Sequence, residues 1–311
     1  MKIALNGNIV DASEAVISVY DHGFLYGLGL FETFRTYGGK PFLLDRHLDR
    51  LSGGCKELGI VWEAEEAALL DLIYRLLEHN DLSDGYFRLT VSAGEAELGL
   101  PSGDYVKPNI LLLVKPIAPP PPIDDLVGRE LCQLHTRRNT PEGAVRSKSL
   151  HYMNNIIAKR ELVGSKASAG AEGLMLTSDG FLSEGIVSNL FFARDGAVYT
   201  PALSTGILPG ITRGLTLQLA QQAGWKAEEG LYRWEQLKSA DEVWMTSSIQ
   251  ELVPITRLTD ISGEVHQVGD GRIGAMTKAL LNSYRALTGL DSNALLAMEV
   301  VNEGQVRVNE Q

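Results

Sequence analysis

The chain has 311 residues, which is enough for two domains of ordinary size. Its content of 44% hydrophobic and 22% charged residues is typical of a folded globular protein, and it excludes intrinsic disorder and fibrous repeats. The formal net charge of -11 would repel a polyanion, so it argues against a nucleic-acid-binding protein.

The number of cysteines and the length of the apolar runs indicate which cellular compartment to expect. Cys55 and Cys132 are the only cysteines, too few for a disulfide framework and without the spacing of a zinc site. A reducing cytoplasm and no bound metal are therefore expected. A turn signal at Asn6-Gly7 interrupts the first apolar residues, and the longest apolar runs, such as 110–114, have the length of a strand. We expect neither a signal peptide nor a membrane span.

Residues 1–118 predict a small α+β domain. Apolar residues recur at three- and four-residue steps in a helix predicted over 45–58, which Asp45 would cap and Gly59 would end. Short apolar stretches bounded by turn signals predict the strands. In chain order the predicted elements are a strand 2–10 with an internal turn, a glycine-punctuated segment 21–29, a strand 30–37, helices 45–58 and 63–79, and strands 86–93 and 109–117.

A run of prolines from Pro119 to Pro122 predicts an extended interdomain linker over 119–124, since proline fits neither a helix interior nor a central strand. Residues 125–290 then predict a larger β-rich domain. The whole chain is interpreted as α+β, because a regular strand–helix alternation with a glycine-rich phosphate fingerprint is missing. The polar stretch 291–311 is expected to be an appended tail. Helices of the larger domain are predicted at about 150–163, 211–223 and 272–287.

Lys148 and Tyr152, four residues apart, would share one face of the helix predicted near 150–163. An amine beside a phenol suits Schiff-base chemistry with an aldehyde cofactor, which needs a neutral amine and a donor for the phenolic oxygen of the cofactor. The alternative is a solvated lysine at a helix start. Another face of the same helix would carry Ser149, Met153, Ile156, Ile157 and Arg160.

Glu184 precedes a glycine, and Ser188 and Asn189 then lead into an apolar strand. A carboxylate buried at this place would pair with a protonated ring nitrogen such as that of a pyridine cofactor. The alternative is a hairpin turn with the carboxylate at its lip.

Several polar groups could bind a phosphate. A proline and a glycine precede a predicted amphipathic helix, so its first amides, at Ile211 and Thr212, would form an anion site. Ser247 and Ser248 follow a strand, and Arg50 lies beside the apolar stripe of the first helix. The alternatives are an ordinary helix start and ordinary surface polarity.

These segments occur together and in one order, so the combination is specific although each part is weak. In that order the sequence resembles the class IV aminotransferase family, the fold-type IV pyridoxal phosphate enzymes, from about residue 5 to residue 289. The resemblance implies a two-domain α+β fold like that of D-amino-acid aminotransferase, pyridoxal 5'-phosphate in the cleft, a small-molecule amino substrate and a homodimer. The segments that carry it are 21–27, 30–35, 44–51, 145–161 and 182–192.

The resemblance also implies roles for the candidate residues. Lys148 would hold the cofactor as a Schiff base and act as the catalytic base, and Glu184 would bind the pyridine nitrogen. Tyr152 would lie near the phenolic oxygen. The remaining residues implied to bind the cofactor are Arg50, Ser188, Asn189, Ile211, Thr212, Ser247 and Ser248.

The family includes aminotransferases and lyases, which share the lysine. The loop 94–101 lacks the Arg-x-His element typical of D-amino-acid enzymes, and Thr33 stands where branched-chain enzymes tend to have glycine. Segments 21–27 and 86–94 resemble the 4-amino-4-deoxychorismate lyases of Gram-positive bacteria, which release pyruvate and 4-aminobenzoate in folate biosynthesis. An aminotransferase for branched-chain or D-amino acids is the alternative.

The substrate of such a lyase has two carboxylates, so two cations are expected near it. Alternation along strand 30–37 puts Phe31, Thr33 and Arg35 on one face, and Arg88 lies on another strand of the same domain. We interpret all four as substrate-binding residues. For either arginine, pairing with a structural acid is the alternative. An inactive relative and a nucleotide or sugar-phosphate binder are the remaining functional classes.

Overall fold

The computed structural model describes residues 1–289, so the predicted tail 291–311 lies outside the described residues. The described chain forms two β-sheets, one of six strands within residues 2–116 and one of nine strands within residues 129–267. Within residues 1–289, no helix is both long enough and apolar enough to cross a bilayer.

The N-terminal sheet is antiparallel throughout, and a single apolar cluster joins it to the helices at Leu44–Glu57 and Glu66–His79. Its strands are β1 (Lys2–Leu5), β2 (Asn8–Asp11), β3 (Gly29–Tyr37), β4 (Lys40–Pro41), β5 (Gly85–Ser92) and β6 (Asn109–Pro116), in the spatial order β2-β1-β6-β5-β3-β4. Its helices are α1 (His22–Tyr26), which occupies the glycine-punctuated segment, α2 (Leu44–Glu57) and α3 (Glu66–His79).

Helix α2 buries the predicted apolar stripe, but it begins differently from the prediction. The residue before the helix is Leu43, in the left-handed conformation at φ 55°, and no side chain caps the first turn. Asp45 is therefore not the cap. It lies inside the first turn, where its negative charge still favours the positive end of the helix. Gly59, at φ 66°, follows the helix end as predicted.

The C-terminal sheet mixes antiparallel pairs with three parallel ones. Its strands are β7 (Arg129–Gln133), β8 (Glu172–Leu176), β9 (Leu182–Gly185), β10 (Asn189–Arg194), β11 (Ala197–Pro201), β12 (Ala227–Gly230), β13 (Glu242–Ser247), β14 (Glu251–Thr259) and β15 (Val265–Gln267). Its helices are α4 (Met153–Gly164), α5 (Ile211–Gln222), α6 (Trp234–Lys238) and α7 (Ala275–Leu287).

The start of helix α4 departs from the prediction near residue 150. Lys148 precedes the helix in extended backbone, because its carbonyl accepts a 2.9 Å hydrogen bond from the amide of Phe31 on β3. The amide of Leu150 donates to Gly29, also on β3, at 3.0 Å. Lys148 and Tyr152 therefore do not share a helix face; a strand of the other sheet fixes the lysine instead.

The residues expected on one face of α4 are not its buried side. Met153, Ile156 and Ile157 are 71%, 53% and 49% exposed, whereas the buried residues of the helix are Asn155, Ala158 and Leu162. An apolar side of α4 thus faces outward in the single chain.

One apolar cluster joins the two sheets. Phe42 and Leu43, which follow β4, pack in the same buried cluster as Phe191 and Trp244 of the C-terminal sheet and Tyr284 of α7. Burial of side chains this large strongly disfavours separation of the sheets. It holds them in a fixed relation and leaves a cleft between them.

Candidate active site

A cavity of about 540 Å³ lies between the two sheets. Residues from both halves of the chain line it, so its shape depends on the contact between them. All the residues predicted from the sequence to bind cofactor or substrate line this cavity except one. They are Phe31, Thr33, Arg50, Arg88, Lys148, Tyr152, Glu184, Ser188, Asn189, Ile211, Thr212, Ser247 and Ser248.

Lys148 presents its amine to the cavity beside an aromatic ring. Its Nζ lies 4.8 Å from the ring centre of Phe31, which is almost fully buried. Burial and the nearby positive charge of Arg50 lower the pKa of Lys148 to about 8. A neutral amine, which can act as a nucleophile or a base, is thus accessible close to neutral pH. Tyr152 packs edge-on against the same ring, at 5.3 Å between ring centres.

Glu184 is a fixed anion in the cavity wall. Its carboxylate accepts a hydrogen bond from Arg138 Nε at 2.7 Å, and its other oxygen accepts from Asn189 Nδ2 at 3.2 Å and from the amide of Leu208 at 3.0 Å. The residue is only 4% exposed. The solvated hairpin position considered from the sequence therefore does not occur. A carboxylate held by donors on several sides still has lone pairs for one more donor in the cavity.

Two arginines near Glu184 were missed from the sequence. Arg138 lies 2.7 Å from the carboxylate and also donates to Asn154, and Arg146 lies 3.9 Å from the same carboxylate oxygen. Arg146 Nε donates to the carbonyl of Gly206 at 2.5 Å. Arg138 lies outside the segments that carry the family resemblance, whereas Arg146 lies within 145–161 without a predicted role. Its proximity to Lys148 in the chain was the one signal for Arg146.

Arg50 extends from α2 into the cavity, and hydrogen bonds fix the orientation of its guanidinium. Its Nε and one terminal nitrogen donate to the two oxygens of Glu32 at 2.7 and 2.6 Å, and the other terminal nitrogen donates to the carbonyl of Pro209 at 2.7 Å. His47 adds a third hydrogen bond to Glu32, at 2.6 Å. Burial alone would raise the pKa of Glu32, but Arg50 and His47 outweigh it and hold that pKa at about 2. The planar guanidinium retains one N–H on each terminal nitrogen for an anion.

The start of α5 lies at the same end of the cavity as Arg50. Gly210, Ile211 and Thr212 line the cavity, and no side chain caps the helix. A side chain at Gly210 would collide with Asn189, so glycine is needed for this close approach. The first-turn amides have no partner within the helix, and together with Arg50 they form a suitable place for a phosphate.

The polar groups of the cavity fit pyridoxal 5'-phosphate. Lys148 supplies the amine, Glu184 supplies the anion for a ring N–H, and the start of α5 supplies phosphate donors. The hydroxyl of Thr246, a cavity-lining residue that is 1% exposed, has no hydrogen-bond partner in the described chain. A buried hydroxyl without a partner is unfavourable, and a phosphate or ring oxygen would satisfy it.

Arg35 is the predicted site residue that does not reach the cavity. Its terminal nitrogens donate to the carbonyls of Ile249 and Ala118 at 3.3 and 3.2 Å, and its guanidinium stacks over the Tyr37 ring. The residue is 4% exposed. Strand alternation indicated the correct face of β3, but these backbone acceptors draw the side chain behind the cavity wall.

Comparison with known proteins identifies the family. The pattern of the amino-transferase class IV family matches residues 29–258, well over half of the chain. The chain belongs to the class IV aminotransferase family. This membership confirms the predicted α+β fold class and the expected class of pyridoxal-phosphate-dependent enzyme.

Similar proteins in this family include lyases and aminotransferases. The chain is 42% identical over 263 residues to aminodeoxychorismate lyase of Bacillus subtilis (strain 168), covering 84% of this chain and 87% of the relative. It is 34% identical over 288 residues to a putative branched-chain-amino-acid aminotransferase of Methanocaldococcus jannaschii, covering 92% and 96%. The solved branched-chain aminotransferase of the thermophilic archaeon Thermoproteus uzoniensis, with norvaline, superposes with a TM-score of 0.81 at 27% identity, covering 95% and 97%.

The lowered pKa of Lys148 predicts how the rate of its acetylation depends on pH. Acetylation of Lys148 in the cofactor-free protein should rise with pH and level off above about 8, because its amine is protonated below that pKa and neutral above it. Brief treatment with acetic anhydride followed by peptide mass spectrometry measures this rate. A synthetic peptide of residues 144–152, with an ordinary lysine pKa of 10.5, should keep rising well beyond that pH. Coincident profiles for protein and peptide would contradict the prediction.

The contacts of Glu32 predict that it controls phosphate affinity through Arg50. Glu32→Gln should weaken binding of pyridoxal 5'-phosphate about 10- to 100-fold, because hydrogen bonds to charged groups contribute about 1.5–3 kcal/mol. Binding of pyridoxal, which lacks the phosphate, should change much less. Fluorescence titration of the cofactor-free protein with both compounds measures the two dissociation constants.

The matched control for that prediction is Glu78→Gln, which removes an exposed carboxylate from α3. It should leave both dissociation constants unchanged. Thermal unfolding of the Glu32→Gln protein separates a local effect from loss of fold. An equal loss of affinity for pyridoxal and its phosphate would show that Glu32 does not act through Arg50.

Proposed function

We propose that this class IV aminotransferase family member is a lyase that converts 4-amino-4-deoxychorismate into 4-aminobenzoate and pyruvate, a step of folate biosynthesis. The observation that carries the choice of reaction is the 42% identity to the Bacillus subtilis lyase across 84% of the chain. The aminotransferases and aminotransferase-like proteins matched by sequence are 30–34% identical, and the solved Thermoproteus uzoniensis aminotransferase is 27% identical. The site geometry supports pyridoxal phosphate chemistry in either case.

In this proposal Lys148 is the base of the reaction. When bound, pyridoxal phosphate withdraws electrons from the carbon that carries the substrate amine. Lys148, whose amine is freed when the substrate amine displaces it from the cofactor, would take the proton from that carbon, which its pKa of about 8 allows near neutral pH. The adjacent carbon–oxygen bond breaks, the ring becomes aromatic, and the departing enolate of pyruvate takes up a proton.

The other lining residues hold the cofactor in this proposal. Glu184 accepts the ring N–H, and its ion pair with Arg138 orients the carboxylate. Tyr152 donates to the phenolic oxygen, and Phe31 and Thr33 border the substrate. The phosphate and ring are bound by Arg50, Ser188, Asn189, Ser247, Ser248 and the backbone amides of Ile211 and Thr212.

We further propose two domains, 1–118 and 125–290 with linker 119–124, working as a cytoplasmic homodimer. Exposed apolar side chains support the dimer. Phe24 on α1 is 67% exposed and Met153 on α4 is 71% exposed, an unfavourable state for a single chain. Sedimentation equilibrium should give the mass of two chains, and a monomer at micromolar concentration would refute the dimer.

The proposed reaction is tested by supplying purified holoenzyme with 4-amino-4-deoxychorismate, and separately with D-alanine or leucine plus 2-oxoglutarate. Formation of pyruvate and 4-aminobenzoate in the first reaction alone supports the lyase. Turnover that depends on the keto acid would instead support an aminotransferase, the function that the 34% identity to the Methanocaldococcus jannaschii relative favours.

A further inference from the structure

The cavity is strongly cationic although the chain is acidic. Its lining contains six arginines and lysines and a single acid, Glu184, whereas the whole chain has a net charge of -11. Such an excess of one sign in a cleft attracts ligands of the opposite sign. The positions of the cavity cations that lack an anionic partner therefore indicate where a negatively charged substrate would bind.

Three of these six cations already have an anionic partner. Glu184 lies within 4 Å of both Arg138 and Arg146, and Glu32 holds Arg50. Lys148 is the proposed base. Among the described residues, this leaves Arg88 and Lys115 without an ion pair.

Arg88 and Lys115 lie on the same face of the N-terminal sheet. Lys115 on β6 pairs with Tyr86 on β5, and Arg88 stands two residues beyond Tyr86. Side chains two residues apart share a face, so the two cations are diagonal neighbours, roughly 7–8 Å apart with their Cβ atoms somewhat closer. Both line the cavity, as does Tyr86 between them.

Contacts with aromatic rings show which of these two cations lies nearer to Lys148. The guanidinium of Arg88 lies 3.5 Å from the ring centre of Phe31, the ring that Lys148 also contacts. Lys115 Nζ lies 4.4 Å from the ring centre of Tyr86. Arg88 is thus near the reacting amine, and Lys115 lies one step farther out, where its residue is exposed to solvent.

Resting on the proposed function, we propose that Lys115 binds the ring carboxylate of a dianionic substrate, which lies para to the amine, and that Arg88 binds the enolpyruvyl carboxylate beside the amine. Lys115 thereby has the role that was predicted from the sequence for Arg35. The guanidinium of Arg35 instead donates to the backbone carbonyls of Ile249 and Ala118. An apolar amino-acid side chain at the same place would face two unpaired charges and strip water from them without compensation.

The test compares a two-carboxylate probe with a one-carboxylate probe on the holoenzyme. Chorismate carries a ring carboxylate and an enolpyruvyl carboxylate, and 2-phenoxyacrylate carries the enolpyruvyl carboxylate alone. Lys115→Met should raise the dissociation constant of chorismate about fivefold, the size expected for a solvent-accessible ion pair. The constant for 2-phenoxyacrylate should stay within twofold, and calorimetry measures both.

Two further variants distinguish charge recognition from a general disturbance. Lys115→Arg should restore the preference for chorismate, and Lys40→Met, which removes an exposed lysine outside the cavity, should not alter it. With 4-amino-4-deoxychorismate as substrate, Lys115→Met should raise KM and leave kcat unchanged, because Lys115 is remote from the reacting amine.

Equal effects of Lys115→Met on the two probes would overturn the proposal, as would wild-type enzyme that binds chorismate no more tightly than 2-phenoxyacrylate. Turnover of 4-amino-4-deoxychorismate by the same wild-type preparation is measured separately. A failure of the lyase assay with intact discrimination between the probes would refute the lyase and retain the dicarboxylate site.

Discussion

Lys148→Ala should lose all covalent fixation of the cofactor and at least about 10²–10⁴-fold of the activity, the usual contribution of a positioned base. The backbone at Lys148 is held by β3, which directs this side chain to the cavity, whereas Lys115 lies against the Tyr86 ring farther out and cannot replace it. Borohydride reduction followed by gel filtration and peptide mass spectrometry measures the fixation. In the wild type, the cofactor should be found on the peptide that contains Lys148.

A suitable control is Lys159→Ala, which removes an exposed lysine from the adjacent helix α4. It should retain fixation and activity. Circular dichroism of the Lys148→Ala protein shows whether the fold persists. Wild-type activity in that variant, or cofactor fixed to another lysine, would remove the basis for assigning pyridoxal phosphate chemistry to Lys148.

Elements with strong local patterns could be predicted closely from the sequence. Strand β3 was predicted over 30–37 and spans Gly29–Tyr37, and α5 was predicted over 211–223 and spans Ile211–Gln222. Alternation and helical periodicity are local properties, which explains this agreement. The predicted helix near residue 150 began too early because β3, a distant segment of the chain, hydrogen-bonds the backbone at Lys148.

The candidate site shows the same distinction between local and distant information. Lys148 and Glu184 were predicted as site residues from the order of the motifs in a family resemblance, since each motif alone admitted an ordinary structural explanation. The partners that orient the site, Arg138 for Glu184 and Glu32 for Arg50, are far from them in sequence or lie on another element. Spacing could not reveal these pairs, nor the diversion of Arg35 to backbone carbonyls.

Glu184→Gln should reduce activity about 10- to 10³-fold, because a nearby opposite charge shifts a pKa by about 1–3 units and the amide carries none. The ring nitrogen of the bound cofactor would then be largely unprotonated near neutral pH. Nuclear magnetic resonance of cofactor with an isotopically labelled ring nitrogen measures its protonation directly, independently of turnover. The chemical shift should move from the protonated to the neutral range.

Loss of the Glu184 charge also predicts lower stability, since Arg138 would remain buried without an anion. Removing one member of a buried ion pair costs about 3–5 kcal/mol, so urea unfolding should detect the change. Glu172→Gln is the matched control. Like Glu184, the carboxyl of Glu172 accepts a backbone amide, in this case that of Ile186. It has no arginine partner among the described residues, and burial raises its pKa. The Glu172→Gln protein should keep the chemical shift of a protonated ring nitrogen. If Glu184→Gln kept it as well, the ring nitrogen would not depend on Glu184, and another group would have to hold its proton.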